Sequence, residues 1–189
     1  MSTGAHTPDP FVQLFHHRWA VPLLAELDRG GGGGGERAVA LRSRLGIGRE
    51  SLRRTLDALI EQGLVSPNPG YGHPLRPEYV LTGRGAAVAP ACALLMASLQ
   101  GLGIERVALN KWSMPVMAAL EHGGGRRFGQ LRDDLPAISP RALAMALKSL
   151  AAAGLVERHV IDSFPPTASY RLAAPASAVT RPLRLLKAA

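Results

Sequence analysis

Residues 53–68 read RRTLDALIEQGLVSPN, and residues 144–159 read AMALKSLAAAGLVERH. Each is an amphipathic helical pattern that stops at a glycine and enters an apolar Leu-Val step. Leu52, Leu56 and Leu59 fall at i, i+4 and i+7, one buried stripe of a helix, and Leu143, Leu147 and Leu150 repeat it. Gly63 and Gly154 suit the left-handed position that ends a helix. The same element is therefore encoded twice.

Beyond these two stretches, the repeat extends over nearly the whole chain. RWAVPLLAEL (18–27) matches KWSMPVMAAL (111–120) at an offset of 93. LRSRLGI (41–47) matches LRDDLPA (131–137) at an offset of 90, and Tyr79 and Leu81 match Tyr170 and Leu172 at 91. The change of offset reflects a longer glycine run in the first copy, residues 30–35, than the one at 123–125. That first run lacks the Lys-Ser/Thr of a phosphate loop and reads as an expanded linker.

One copy reads as a first helix with Trp19 or Trp112, a glycine loop, a short helix near 41–45 or 131–135, a tight turn, and a longer helix. Pro22 and Pro115 are tolerated in the first turn of their helices. Ser139 is a good N-cap with Pro140 behind it, whereas Gly48 is a weaker cap in the first copy. After each glycine stop a strand begins, a Pro- and Gly-rich tip follows, and EYVL or SYRL returns as the partner strand. Helix, helix, turn, helix, hairpin is the order of a winged helix-turn-helix. The expected fold is mainly α with small β-hairpin wings, as tandem winged helix-turn-helix domains forming a pseudo-dimer. The expected boundaries are 11–95 for the first domain, 105–189 for the second, and connecting helices over 86–110.

The second copy closely resembles the HxlR-type winged-helix transcriptional regulators, relatives of the MarR-like group. The resemblance rests on the Lys-Trp start, RRFGQLRDDLPAISPRAL, GLVER and PP…SYRL, over residues 104–182. The first copy, 11–94, is a more divergent member of the same type. The resemblance implies sequence-specific binding of double-stranded DNA. It also implies dimerisation through terminal helices, which here would be internal to one chain. Relatives often have a cysteine a few residues into the chain, which in some of them serves as a redox or electrophile sensor. Neither copy has one, and the single cysteine, Cys92, lies in the connecting helix.

Composition agrees with this reading. Apolar residues make up 47% and charged ones 19%, enough for a folded core. The net charge of +8 favours a polyanionic partner. Residues 1–95 hold 10 Arg/Lys against 8 Asp/Glu, and residues 96–189 hold 12 against 6. One cysteine allows no intrachain disulfide, and the N-terminus shows no signal-peptide pattern, so a cytoplasmic setting is expected. The uncharged run 85–104 is long enough for a membrane span but is interrupted by Pro90 and polar residues. It reads as a buried connecting helix, with no membrane partner. Metal-ligand spacings and G-x-S-x-G are missing, so neither an enzyme nor a cofactor is expected.

In a helix-turn-helix the second helix enters the major groove. In the first copy Arg49, Arg53 and Arg54 lie off the leucine stripe and face out, with Arg42 and Arg44 on the preceding helix placed for phosphates. Glu50, Asp57 and Glu61 are near enough for ordinary helical ion pairs, the competing reading. In the second copy the outward positions are Arg141, Ala144, Met145 and Lys148, a poorer reading head behind Asp133 and Asp134. Its DNA contacts would come from Arg126, Arg127, Arg132, Lys148 and the wing, or it has given up DNA binding. The wings, 66–78 and 158–169, offer His73, Arg76, Arg158 and His159. Trp19, Trp112, Met96 and Met114 are candidates for a small hydrophobic effector pocket, although core packing suits them better. The alternative function is a small-molecule or protein binding module on a winged-helix scaffold without DNA binding. The chain is expected as a monomeric pseudo-dimer or a homodimer.

Overall fold

The structure is a computed structural model that describes residues 9–30, 35–68, 77–121, 123–161 and 167–189. The same order of elements occurs twice. The first copy comprises α1 (Pro10–Leu14), α2 (Ala20–Arg29), β1 (Glu36–Arg37), α3 (Ala38–Leu45), α4 (Arg49–Glu61), β2 (Val65–Asn68), β3 (Glu78–Leu81) and α5 (Gly83–Leu102). The second comprises α6 (Glu105–Ala108), α7 (Ser113–Leu120), β4 (Arg126–Arg127), α8 (Phe128–Asp134), α9 (Pro140–Ala152), β5 (Val156–Ile161) and β6 (Thr167–Leu172). A 3₁₀ turn (Ala174–Ala176) then leads into α10 (Ser177–Ala188).

The leucine stripes form the core as the periodicity requires. Leu52, Leu56 and Leu59 of α4 are buried, as are Leu143, Leu147 and Leu150 of α9. Both helices end in the same hydrogen-bonded stop. Leu64 N–H donates to the Leu59 carbonyl at 2.9 Å, and Leu155 N–H donates to the Leu150 carbonyl at 2.9 Å. Gly63 and Gly154 take φ of 68° and 70°, a backbone that only glycine adopts without strain. The chain is then aimed into β2 or β5. At the other end, Ser139 Oγ accepts from Ala142 N–H at 3.2 Å, whereas Gly48 offers no side chain to cap α4.

Among the described residues each sheet has three strands rather than a hairpin's two. β3 lies between β1 and β2, and β6 between β4 and β5, all antiparallel. β1 and β4 are two residues long, too short to show any alternation in sequence. Pairing with a neighbour defines them.

The connecting stretch, expected over 86–110, holds most of α5 and all of α6. α5 begins at Gly83, where Thr82 Oγ1 accepts from Gly85 N–H at 3.0 Å, and runs through Pro90 without ending. It stops at Gly103, whose φ of 66° breaks it from the short α6. By length and composition α5 is able to cross a membrane. Here one of its faces packs on α2 and α10, with Ala89, Cys92, Leu95 and Leu99 fully buried.

The packing of α5 on α10 joins the C-terminal helices of the two copies within one chain. The N-terminal segment also crosses over. Phe11 and Val12 of α1 line a crevice with Pro115 and Ala118 of α7, and the His16 ring lies 6.1 Å edge-on from Trp112. The hydrophobic core is continuous through both copies.

Candidate nucleic-acid interface

α3 and α4 of the first copy, and α8 and α9 of the second, are the helix-turn-helix pairs. Leu41 and Leu131 anchor the shorter helices in the core, and the leucine stripes anchor the longer ones. What remains outside is set by the 3.6-residue period. On α4 the outward residues include Arg49, Glu50, Arg53, Arg54 and Asp57; on α9 they are Arg141, Ala144, Met145 and Lys148.

The two outward faces differ in charge and in how their cations are engaged. On α4, Arg53 donates from Nη2 to Glu50 Oε1 at 2.8 Å and from Nε to Glu50 Oε2 at 3.2 Å. Its Nη1 donates to Asp57 Oδ2 at 3.1 Å. Arg54 Nε lies 3.8 Å from Glu50 Oε1. These side chains are about 60% exposed, so the pairs are worth little as stability. The hydrogen bond from Arg53, followed by its charge and that of Arg54, lowers the Glu50 pKa and keeps the carboxylate ionised. Arg49, Arg53 and Arg54 are matched by Glu50, Asp57 and Glu61, so α4 has no net charge.

α9 carries Arg141 and Lys148 and no acid. Neither cation forms an ion pair among the described residues, and the same holds for Arg127, Arg132 and Arg158. Of the DNA contacts expected from the first copy and described here, only Arg42 and Arg49 are in that condition. Among the expected contacts, unengaged positive charge is therefore concentrated on the second copy, the half whose reading helix looked poorer in sequence.

Two other predicted residues are engaged inside the fold. Arg44 reaches Glu26 at 2.6 Å and Glu36 at 2.7 Å, tying α3 to α2 and β1. Its pKa is raised, chiefly by the Glu36 hydrogen bond. Arg126 pairs with Asp134, and its Nε is buried without a hydrogen-bond partner among the described residues. Arg127 caps α8, its backbone N–H donating to Gln130 Oε1 at 2.8 Å. In the second wing, Arg171 Nη2 lies 2.8 Å from Glu157 Oε2 across the register pair Glu157–Arg171, and His159 Nε2 lies 3.3 Å from the same oxygen along β5. Sequence reasoning missed Arg171; it lies beside Tyr170, the residue that aligned the two wings. His73 and Arg76 lie outside the described residues.

The proposed effector residues do not converge. Met114 is fully buried core. Trp19 lines an open depression with His17, Ser51 and Arg54, while Met96 lines a separate one with Pro22 and Ala25. Trp112 sits under Lys111 Nζ, 5.1 Å from its ring centre. A cavity of about 580 Å³ opens elsewhere, between α7, β6 and α10, and is rimmed by Glu121, Arg171 and Arg184. Cys92 is buried, and burial first, with Asp28 adding to it, pushes the thiol pKa far up, which disfavours a reactive thiolate.

The profile of the HxlR-like helix-turn-helix family matches residues 14–102 and, a second time, residues 107–188. The chain belongs to this family. A curated relative is an uncharacterised HTH-type transcriptional regulator of Synechocystis sp., 42% identical over 65 residues. That alignment covers 34% of this chain and 47% of the relative, so the chain spans about half the length of that protein. Among solved structures, the HTH-type transcriptional regulator ytcD is 28% identical, with a TM-score of 0.41, over 50% of this chain and 90% of that one. The reduced form of the transcriptional regulator YodB from B. subtilis is 26% identical, with a TM-score of 0.40, over 46% of this chain and 86% of that one. The HxlR-like fold is a helix-turn-helix regulator fold, present here twice in one chain.

Proposed function

We propose that this chain regulates transcription by binding double-stranded DNA with α4 and α9, as an internal pseudo-dimer of units 11–95 and 105–189 bridged over 86–110. One observation supports this most. Two helix-turn-helix pairs of one family present their second helices outward from a shared core in which α5 packs on α10. The contacts assigned to base edges are Arg49, Arg53 and Arg54 on α4 and Arg141 on α9. Arg42, Arg127, Arg132, Lys148 and Arg158, with Arg76 in the first wing, are assigned to phosphates. Arg44 and Arg126 are left to their carboxylates. The chain works in the cytoplasm, away from membranes, and is not an enzyme.

The test is an electrophoretic shift of the full chain on its own upstream DNA, across a salt series. Binding that weakens with salt is expected. Arg53→Ala with Arg54→Ala should weaken it at least tenfold on that DNA; unchanged affinity would remove α4 from the interface. Light scattering should report a particle near 20.0 kDa, the mass of one chain. A dimer held by α5 and α10 would contradict the pseudo-dimer.

A further inference from the structure

The two reading helices are built on one frame with different outward chemistry. At the offset of 91, Glu50 corresponds to Arg141, Arg53 to Ala144, Arg54 to Met145 and Asp57 to Lys148. The buried stripes correspond as well, so these residues occupy matching positions on matching faces.

On α4 the arrangement is a guanidinium bound edge-on by a carboxylate. Glu50 accepts from Nε and Nη2 of Arg53, and Asp57 accepts from Nη1. Arginine has five N–H donors, so one remains on each terminal nitrogen. Paired donors suit the O6 and N7 acceptors of guanine, and the adjacent carboxylate suits the N4 amino donor of cytosine. The same carboxylates repel phosphate and cancel the helix's charge. This face therefore suits G·C pairs in hydrogen bonding and has no net charge to attract a polyanion.

On α9 the matching positions are apolar. Met145 is 58% exposed, and Ala144 is exposed beside it, so the two form one small apolar step. Arg141 and Lys148 flank this step and form no ion pair among the described residues. An apolar step between unengaged cations is complementary to a polyanion that displays methyl groups. In the major groove of duplex DNA that group is the thymine C5-methyl.

We infer that the site read by this chain is chemically asymmetric, with a G·C-bearing half under α4 and a thymine-methyl-bearing half under α9. The inference rests on the proposed DNA-binding function and specifies its ligand. The second copy supplies most of the phosphate attraction, and the first supplies most of the hydrogen-bond discrimination.

The experiment is selection of duplexes from a random-sequence pool by the full chain, followed by titration of the winning duplex. The selected site should hold G·C pairs in one half and thymines in the other. Replacing those thymines with uracil removes only the methyl. It should weaken binding about fourfold for each methyl that α9 covers, the worth of one buried carbon. The Met145→Ala chain should lose most of that sensitivity, whereas Glu50→Gln should relax selection in the G·C half alone. Two identical half-sites, or a wild-type chain indifferent to every thymine methyl, would overturn the inference and leave DNA binding standing. Failure to retain any duplex would overturn both.

Discussion

Helices α4 and α9 are alike inside and unlike outside. Both are 13-residue helices with the same three buried leucines and the same glycine stop. One carries three arginines cancelled by three acids, and the other carries two cations and an apolar face. The number of arginines on a helix is therefore a poor measure of the positive charge it leaves unengaged. Arg53 is already bonded to two carboxylates, so the charge it offers a phosphate is largely matched. Lys148 has no acid on its own helix and forms no ion pair among the described residues, so it offers all of its charge.

The largest expected effect separates the two copies by how closely their backbones approach. A Cβ added at Gly85 would sit 1.9 Å from the Leu64 carbonyl oxygen. Its counterpart at the offset of 91, Ala176, holds a Cβ and is fully buried. Gly85→Ala should cost about 3 kcal/mol or more in chemical denaturation, at the severe end of overpacking. Ala176→Gly should cost much less, about 1 kcal/mol. Equal costs would mean that the two copies seat their C-terminal helices identically.

Next come the faces themselves. Lys148→Ala should lower the salt dependence of DNA binding by about 1 in log–log slope, for the one phosphate no longer neutralised. Arg53→Ala with Glu50→Gln and Asp57→Asn removes one positive and two negative charges. This triple change should leave the slope nearly unchanged or steeper while site preference collapses. A slope carried equally by both helices would remove the contrast.

The caps distinguish the copies at a smaller scale. Ser139→Ala deletes the hydrogen bond to Ala142 N–H and should cost about 1 kcal/mol, read by thermal or urea unfolding. Gly48→Ser should add a few tenths of a kcal/mol by giving α4 the cap that α9 already has.

The smallest effect lies at the junction of the copies. His16 has a lowered pKa, first through burial and then through Lys111 and His17. Its unfolded form binds a proton more readily than the folded form. Stability should therefore fall as pH drops below about 6.5, and level off below the folded pKa. The side chain is substantially exposed, so the fall should be slight. His16→Gln should abolish that part of the pH dependence in a melting series.

Much of the fold was legible because it is written in short-range patterns. A stripe at i, i+4 and i+7 has one way to bury itself, and a glycine after it has one common use. The repetition of those patterns disclosed the duplication. β1 and β4 were illegible because a two-residue strand has no pattern of its own and exists through β3 and β6. The break after α5 went unread because Gly101 and Gly103 look alike in sequence, yet only Gly103 takes positive φ.

The repeated element order, the buried stripes, the stops and the outward register of each arginine are thus all specified by local sequence. Which of those arginines are engaged depends on packing. Arg44 lies within reach of Glu26 and Glu36 only once α2, β1 and α3 are brought together. Packing also sets Trp19 and Met96 in separate depressions and Met114 in the core, an arrangement that no spacing in the sequence specifies. The physical reason is range. Helical periodicity is settled within a few residues, whereas an ion pair or a pocket is settled among all the groups that folding brings together.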